Sequence, residues 1–236
     1  IHSGIYICIK IMKERYYDMN NICTILMICV FLISCSNDDD IVRSYWDNGN
    51  LKSELRYKDG KLNGDCFWYF SNGEPDMKAH YDMNVMEGEV MRWYENGNIQ
   101  SKYYVKNNQY DSIFESYNVF GSLIKVEHYK EGVLHGEYKQ WYDSGKLFTD
   151  GAYKDGMLYG KWMIYYEGGA VGSVANYENG AGVQDGYSPD GTLITRINYR
   201  DNVKDGEEIQ YNRDGSVNKI LLWESGEFVK IINKKH

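Results

Sequence analysis

The stretch "YWDNGNLKSELRYKDGKLNGDCFWYFSNG" (residues 45–73) contains one short phrase twice: two aromatic residues, a polar residue, then asparagine and glycine. The glycine of that phrase recurs along the chain at steps of 24 residues, with a single step of 22. These turn glycines are Gly49, Gly73, Gly97, Gly121, Gly145, Gly169, Gly191 and Gly215. Self-similarity at a fixed period of this size indicates a repeat architecture.

Aromatic residues keep two fixed places relative to the turn glycines. The first aromatic row stands four positions before them: Tyr45, Tyr69, Trp93, Tyr117, Trp141, Tyr165, Tyr187 and Tyr211. The second aromatic row stands eight positions after them, with one valine among its members: Tyr57, Tyr81, Val105, Tyr129, Tyr153, Tyr177, Tyr199 and Trp223. We expect both rows to stack from unit to unit as one continuous stripe, in a structural role that we prefer to ligand binding.

Each repeat has the pattern of two strands and two turns. Residues 51–58 alternate between uncharged, mostly apolar side chains and charged ones, which is typical of a strand with one buried face. Asn48-Gly49 predicts a two-residue hairpin turn with positive φ at both residues, and the next turn, around Gly60 and Gly64, is expected to be wider. Proline, which cannot donate to a ladder, occurs only twice in 236 residues.

The predicted fold class is all-β: an elongated antiparallel meander of about eight 24-residue β-hairpin repeats over residues 43–230. It would contain about sixteen strands, two for each repeat. A lone hairpin is marginal in water, so each repeat must bury its apolar face against its neighbours. The two-residue shortening falls between Gly180 and Gly191, and it predicts irregular pairing through residues 178–191.

The amino-terminal segment, residues 1–34, stands outside the repeat. Its apolar run over residues 22–33 is too short to span a bilayer and suits the core of a signal peptide. The tetrad "LISC" at residues 32–35 resembles the bacterial lipoprotein signal, which implies cleavage before Cys35 and lipidation of its sulfur. Residues 35–42 form an acidic linker, in which "SNDDD" is either an export tag of the kind seen in Bacteroidota lipoproteins or a solvated spacer.

These features predict where the protein resides. A functional signal would place it in the cell envelope, anchored by lipid at the outer membrane or the periplasmic face. Without such a signal the protein would be cytoplasmic. Residues 231–236 form a basic tail at the other end of the chain.

Composition and spacing argue against several classes of function. The net charge is −8 and no basic face stands out, so we expect no nucleic-acid partner. Histidine and cysteine lack metal-ligand spacing, and neither a nucleophile elbow nor a phosphate-binding loop occurs, so we expect no metal, no cofactor and no catalytic residues. Carboxylates recur with the period of the turns, where they bond local backbone donors. The protein is therefore expected not to be an enzyme.

Three segments carry a family resemblance: "YKDGKLNGDCFWYFSNG", "YKEGVLHGEYKQWYDSGKL" and "YKDGMLYGKWMIYYEGG". They resemble the MORN-repeat variant found in bacterial proteins of the YwqK antitoxin family. The resemblance covers about residues 43–230. It implies a non-enzymatic β-hairpin repeat protein that acts by binding, in a family named for the antitoxin part of toxin–antitoxin systems.

Two functional interpretations follow. The favoured one is a membrane-anchored binding module that presents an acidic, tyrosine-rich sheet face to a protein partner; a toxin is the candidate, met by an immunity protein outside the inner membrane. The alternative is a glycan-binding aromatic hairpin repeat at the cell envelope. It requires outward rings from the adjacent aromatic pairs, which are Tyr45/Trp46, Tyr69/Phe70, Trp93/Tyr94, Trp141/Tyr142 and Tyr165/Tyr166.

Overall fold

The structure, a computed structural model, describes residues 40–232. Several sequence-based expectations lie outside these residues: the signal peptide over residues 1–34, the lipidated Cys35, the first part of the acidic linker and the end of the basic tail. They remain predictions.

The described residues form eighteen strands and no helix. The strands are β1 (Asp40–Tyr45), β2 (Leu51–Lys58), β3 (Lys61–Leu62), β4 (Gly64–Tyr69), β5 (Pro75–Asp82), β6 (Val85–Trp93), β7 (Ile99–Lys106), β8 (Gln109–Tyr117), β9 (Leu123–Lys130), β10 (Val133–Trp141), β11 (Leu147–Lys154), β12 (Met157–Tyr165), β13 (Val171–Glu178), β14 (Ala181–Tyr187), β15 (Leu193–Arg200), β16 (Val203–Tyr211), β17 (Val217–Glu224) and β18 (Glu227–Ile232).

Each strand pairs antiparallel with the next one along the chain, which makes a single meander. Strands β3 and β4 both pair with β2 and together act as one interrupted strand. The predicted all-β meander of hairpin repeats is therefore confirmed. Eight repeats of two strands account for β1 to β17, and β18 adds one more strand at the carboxyl end.

The loops that contain the turn glycines are three residues long, so the predicted two-residue turn is wrong. In the first of them the N–H of Gly49 donates to the C=O of Trp46 (2.9 Å), and the N–H of Trp46 donates to the C=O of Asn50 (2.9 Å). The glycine carries the positive φ in all eight of these loops, between 78° and 93°. A register shift beside the loop, between Ser44 and Tyr45, marks a β-bulge. A type I turn followed by a glycine bulge has this geometry.

The second set of turns, expected to be wider, contains the tight ones. Lys58 pairs with Lys61 across a two-residue loop in which Asp59 and Gly60 both have positive φ (50° and 73°). This is the hairpin turn whose twist matches that of the strands. A bulge at Gly64 then places two extra residues in the following strand. The two turn types are therefore exchanged relative to the prediction.

The shortened repeat pairs regularly, which makes the prediction of irregular pairing through residues 178–191 wrong. Strands β13 and β14 run without a register shift from Ser173–Gly186 to Glu178–Ala181. The corresponding hairpins on either side, β11–β12 and β15–β16, contain the two-residue bulge. The two residues that the sequence lacks are thus the bulge residues, and their loss leaves a continuous ladder.

The missing bulge instead changes the contacts between successive two-residue turns. Asn202, in the next turn, reaches past Gly180 to the turn beyond it. Its Nδ2 donates to the C=O of Gly156 (2.8 Å), and its Oδ1 accepts from the N–H of Leu158 (2.8 Å). The backbone N–H of Asn202 donates to the C=O of Gly180 (3.0 Å), so one residue joins three successive turns.

The alternation of side chains gives the sheet two unlike faces. The aromatic face carries the second aromatic row and a set of residues seven positions before the turn glycines: Cys66, Val90, Phe114, Tyr138, Trp162, Gln184 and Glu208. The charged face carries ion pairs between strands, such as Arg43–Glu54 (2.7 Å), Lys102–Glu89 (2.9 Å) and Arg196–Asp185 (2.7 Å).

The core on the aromatic face is made of small buried residues covered by larger ones. Ala79 and Val90 are fully buried and Val105 is 6% exposed. The side chains packed against them are Trp68, Met77, Tyr81, Met86 and Tyr103. Within the described range, side chains from neighbouring strands therefore cover the small core residues, as a second layer of structure does in a globular domain.

Candidate functional site

The first aromatic row lies on the charged face, which corrects the prediction of one continuous stripe. The Tyr117 hydroxyl donates to Glu115 Oε2 (3.1 Å), and the Tyr165 hydroxyl donates to Met163 Sδ (3.2 Å). Residues two apart in a strand share a face, so these tyrosines lie beside the charged residues. The bulge beside each turn glycine shifts the register by one residue, and such a shift moves a side chain to the other face.

The first-row side chains are only partly buried. Tyr45 is 60% exposed, and the seven others are half-buried. The ring–ring contacts among residues 40–232 involve other aromatic residues. The first row is therefore a set of separate rings beside the turns of the charged face.

The second ring of most adjacent aromatic pairs joins one repeat to the next. Four such rings donate a hydrogen bond to a first-row carbonyl one repeat further on: Trp46 to Tyr69 (3.0 Å), Tyr94 to Tyr117 (2.9 Å), Tyr142 to Tyr165 (2.7 Å) and Tyr166 to Tyr187 (2.8 Å). The glycan alternative needs such rings as open platforms. Because these rings are hydrogen-bonded between repeats, their geometry favours the structural role over glycan binding.

The aromatic face holds the closest ring contacts. Tyr103 stacks on Phe114 with ring centroids 4.7 Å apart, and Tyr110 and Tyr129 complete this cluster. Tyr138, Tyr153 and Trp162 form a second cluster with centroids 5.1 to 5.8 Å apart. The residues seven positions before the turn glycines contribute Phe114, Tyr138 and Trp162 to these clusters, and their spacing is as regular as that of the two rows.

One buried carboxylate lies between the two ring clusters. Glu127 is 8% exposed and pairs across the ladder with Phe114 and Tyr138. Its Oε2 atom lies 3.1 Å from Lys125 Nζ, so the charge is partnered. Burial, and then the negative charge of Glu127, raises the pKa of Tyr129 to about 12.

Over residues 40–232, no three histidine, cysteine, aspartate or glutamate side chains come together as metal ligands. No helix in the range is long and apolar enough to cross a membrane.

Both faces of the sheet are hollow at the sixth repeat, residues 168–191. Its first twenty residues, "GGAVGSVANYENGAGVQDGY", are mostly small or uncharged. The space that rings and long side chains fill in other repeats is therefore left open here.

On the charged face, two adjoining shallow depressions of about 290 and 240 Å³ share Val174 and Tyr187. We call this region the charged-face hollow; its main lining residues are Val174, Val183, Asp185, Tyr187 and Pro189. Val183 is 43% exposed. Asp185 is held in place by Arg196, whose Nε and an Nη atom donate to its two carboxylate oxygens (2.7 and 2.9 Å).

On the aromatic face, a half-open cavity of about 150 Å³ lies above β13. We call it the aromatic-face cavity. It is lined by Leu158, Trp162, Ile164, Ser173, Ala175, Tyr177, Gln184 and Tyr199. Sequence reasoning did not find either site, although the 22-residue step and the run of small residues mark the repeat that contains them.

The MORN repeat variant model matches four segments of the chain: residues 41–59, 62–83, 86–107 and 134–155. Each segment spans a strand, a loop that contains a turn glycine and the strand that follows it. No curated protein matches the chain at a significant level. The matches are narrower than the resemblance over residues 43–230, but the same strand pairing continues through residue 232. Four segments of the chain are therefore similar to the MORN repeat variant, and they lie within a longer series of antiparallel hairpins.

Proposed function

We propose that the chain is a non-enzymatic binding protein that holds a protein partner on its charged face. The observation that carries this proposal is the charged-face hollow. Val174, Val183 and Pro189 offer apolar surface there, Tyr187 adds a ring, and the Asp185–Arg196 pair forms part of the rim. Protein interfaces combine an apolar, aromatic centre with a polar rim in this way.

The finer role rests on the resemblance to YwqK-family antitoxins and on the "LISC" tetrad at residues 32–35. In this proposal lipid on Cys35 anchors the protein in the cell envelope, and the partner is a toxin that the sheet neutralises as an immunity protein would. The rigid sheet supports such a role because tyrosine-rich surfaces gain contact area at a small cost in conformational entropy.

The binding proposal is tested by affinity capture with the full chain and two matched variants. Val183→Lys places a charge in the hollow, while Val133→Lys places one on a valine of similar exposure, 46% against 43%, outside it. We expect a partner recovered with the wild type and with Val133→Lys to be reduced at least tenfold with Val183→Lys. Equal recovery with both variants would remove the hollow from the interface.

The anchor is tested separately by labelling cells with a palmitate analogue. Wild-type protein should incorporate the label and Cys35→Ser should not. Equal labelling of the two proteins would end the lipoprotein proposal without affecting the proposal for the hollow.

A further inference from the structure

We propose that the aromatic-face cavity binds one neutral aromatic ring of about the size of phenol. This inference does not depend on the protein partner proposed above, because the cavity and the charged-face hollow lie on opposite faces of β13 and β14. The cavity walls are fixed by hydrogen bonds and ring contacts, the size fits one ring, and the lining selects an uncharged ligand.

The Trp162 wall is held away from the cavity. Its Nε1 donates to the C=O of Ala152 (2.9 Å), and its ring stacks on Tyr138 with centroids 5.5 Å apart. The ring also lies over Gly151, where any side chain would overlap it. Trp162 is thus drawn toward β11, and Ala175, its cross-strand partner on β13, forms part of the cavity lining.

The opposite walls are held by hydrogen bonds and a ring contact. The Tyr177 hydroxyl donates to Gln184 Oε1 (3.1 Å), and Gln184 Nε2 donates to Ser173 Oγ (2.8 Å). Tyr199 packs edge-on against Tyr177 with centroids 5.6 Å apart. A site whose walls are already ordered avoids much of the entropic cost of binding.

The size of the cavity fits a single ring. Its volume is about 150 Å³, and an apolar protein cavity of about that volume is known to accept benzene. Three of its eight lining residues are aromatic, so a planar ligand can make stacked or edge-on contacts with them.

The lining selects an uncharged ligand with one polar group. Its residues include no aspartate, glutamate, lysine, arginine or histidine. An ion would therefore lose its hydration without gaining a partner. The Gln184 amide has two N–H groups, of which Ser173 Oγ accepts one. A hydroxyl or carbonyl on the ring would accept the other.

The ring could come from a free small molecule or from a tyrosine side chain of another protein. The experiment therefore titrates the full chain with phenol and with N-acetyltyrosinamide, followed by saturation-transfer NMR, with benzoate as the charged control. We expect saturable phenol binding with a dissociation constant on the order of a millimolar or tighter. Benzoate should bind at least about tenfold more weakly.

Two substitutions on neighbouring residues locate the binding. Ala175→Leu adds three carbon atoms within the cavity, whereas Val174→Leu places the same leucine side chain on the opposite face of the same strand. Ala175→Leu should weaken phenol binding at least about tenfold, and Val174→Leu should leave it unchanged. Should Ala175→Leu fail to fold, the smaller Ala175→Val and magnetisation transfer between phenol and the Trp162 ring of the wild type provide the same test.

Each outcome of these titrations leads to a different conclusion. Tighter binding of N-acetyltyrosinamide than of phenol supports the proposal with a protein side chain as the source of the ring. Binding of phenol alone supports it with a free small molecule as the source. The absence of saturable binding for both ligands, or equal affinities in Ala175→Leu and Val174→Leu, overturns it.

Discussion

Gly180 is the residue that makes the shortened repeat possible. Its φ of +74° lies in the region that glycine tolerates best. A β-carbon at this position would lie 2.8 Å from Asn202 Oδ1 and 2.9 Å from Asn202 N. Because the bulge is absent from β14, the turn of β15–β16 closes directly over Gly180, and only hydrogen fits between them.

Gly180→Ala should therefore destabilise the protein more than the matched variant Gly60→Ala. Gly60 has nearly the same φ, +73°, but nothing lies within 4 Å of its added β-carbon. Gly60→Ala should cost about 1–2 kcal/mol for the left-handed backbone alone. Gly180→Ala should cost about 3 kcal/mol or more because the contact with Asn202 adds to this strain. Urea unfolding of both variants measures the difference, and equal midpoints would contradict the close packing.

At the scale of single residues, the sequence located the aromatic positions but not the faces on which they lie. The regular spacing of Tyr117 and Tyr129 is visible without a structure. Their assignment to opposite faces depends on the bulge residue between the two strands. A one-residue change in register reverses the face of every side chain beyond it, so spacing alone could not decide this point.

At the scale of elements, strands β8 to β12 combine their rings around Glu127. Burial is the main cause of the raised pKa of Tyr129, Tyr138 and Tyr153, and the negative charge of Glu127 is the next. The neutral phenol is thus favoured in the folded state. This part of the aromatic face has a distinct dependence on alkaline pH.

The stability of the protein should fall as the pH rises from about 10 to about 12. An unfolded tyrosine ionises near pH 10, whereas Tyr129 in the folded protein has a pKa of about 12. In this window the folded state therefore binds more protons than the unfolded state, and stability decreases with pH. Chemical unfolding at several pH values measures the trend, and tyrosinate absorbance follows the ionisation.

Glu127→Gln provides the specific test of the charge. It should shift the tyrosinate titration to lower pH, because it removes the negative charge that raises the pKa of these tyrosines. Glu137→Gln is the control, since Glu137 is exposed and its ion pair is with Lys139. An identical titration in the two variants would show that burial alone holds the tyrosines neutral.

The strands were largely predictable from the sequence. The positions of the turns were predictable too, but their types were not. The positions of both turn sets are marked by glycine and asparagine. Their types were exchanged because Asn48-Gly49 satisfies the local preference for a two-residue turn, whereas the strand register places Gly49 in the bulge of a three-residue loop. Pairing across the whole hairpin overrode the preference of the dipeptide.

At the scale of the whole molecule, the repeat domain is held together by neighbours in sequence. Strands pair in chain order from β1 to β18. Apart from the turn contacts of Asn202, the hydrogen bonds described here between repeats join adjacent ones. Stability in such an array is the sum of each repeat and its two interfaces. The end strands each have one neighbour among the described residues, and their side chains are mostly exposed.

Amide hydrogen exchange should therefore be fastest at the two ends of the described sheet and slowest in its middle. Local opening at an end breaks one interface, whereas opening at the centre breaks two. Exchange measured by mass spectrometry should show the least protection in β1 and β18 and the most in β5 to β12, where the fully buried Ala79 and Val90 lie. Uniform protection along the chain would contradict the nearest-neighbour description.

The sequence by itself determined the number of repeats, the antiparallel hairpins and the places of the turns, because these depend on a period that local residues repeat faithfully. Only the tertiary structure decided which face each aromatic row occupies and where the sheet is hollow. Those properties depend on register, and register depends on every bulge in the ladder. The two bulge residues missing from the sixth repeat leave its pairing intact, and its small side chains leave space on both faces.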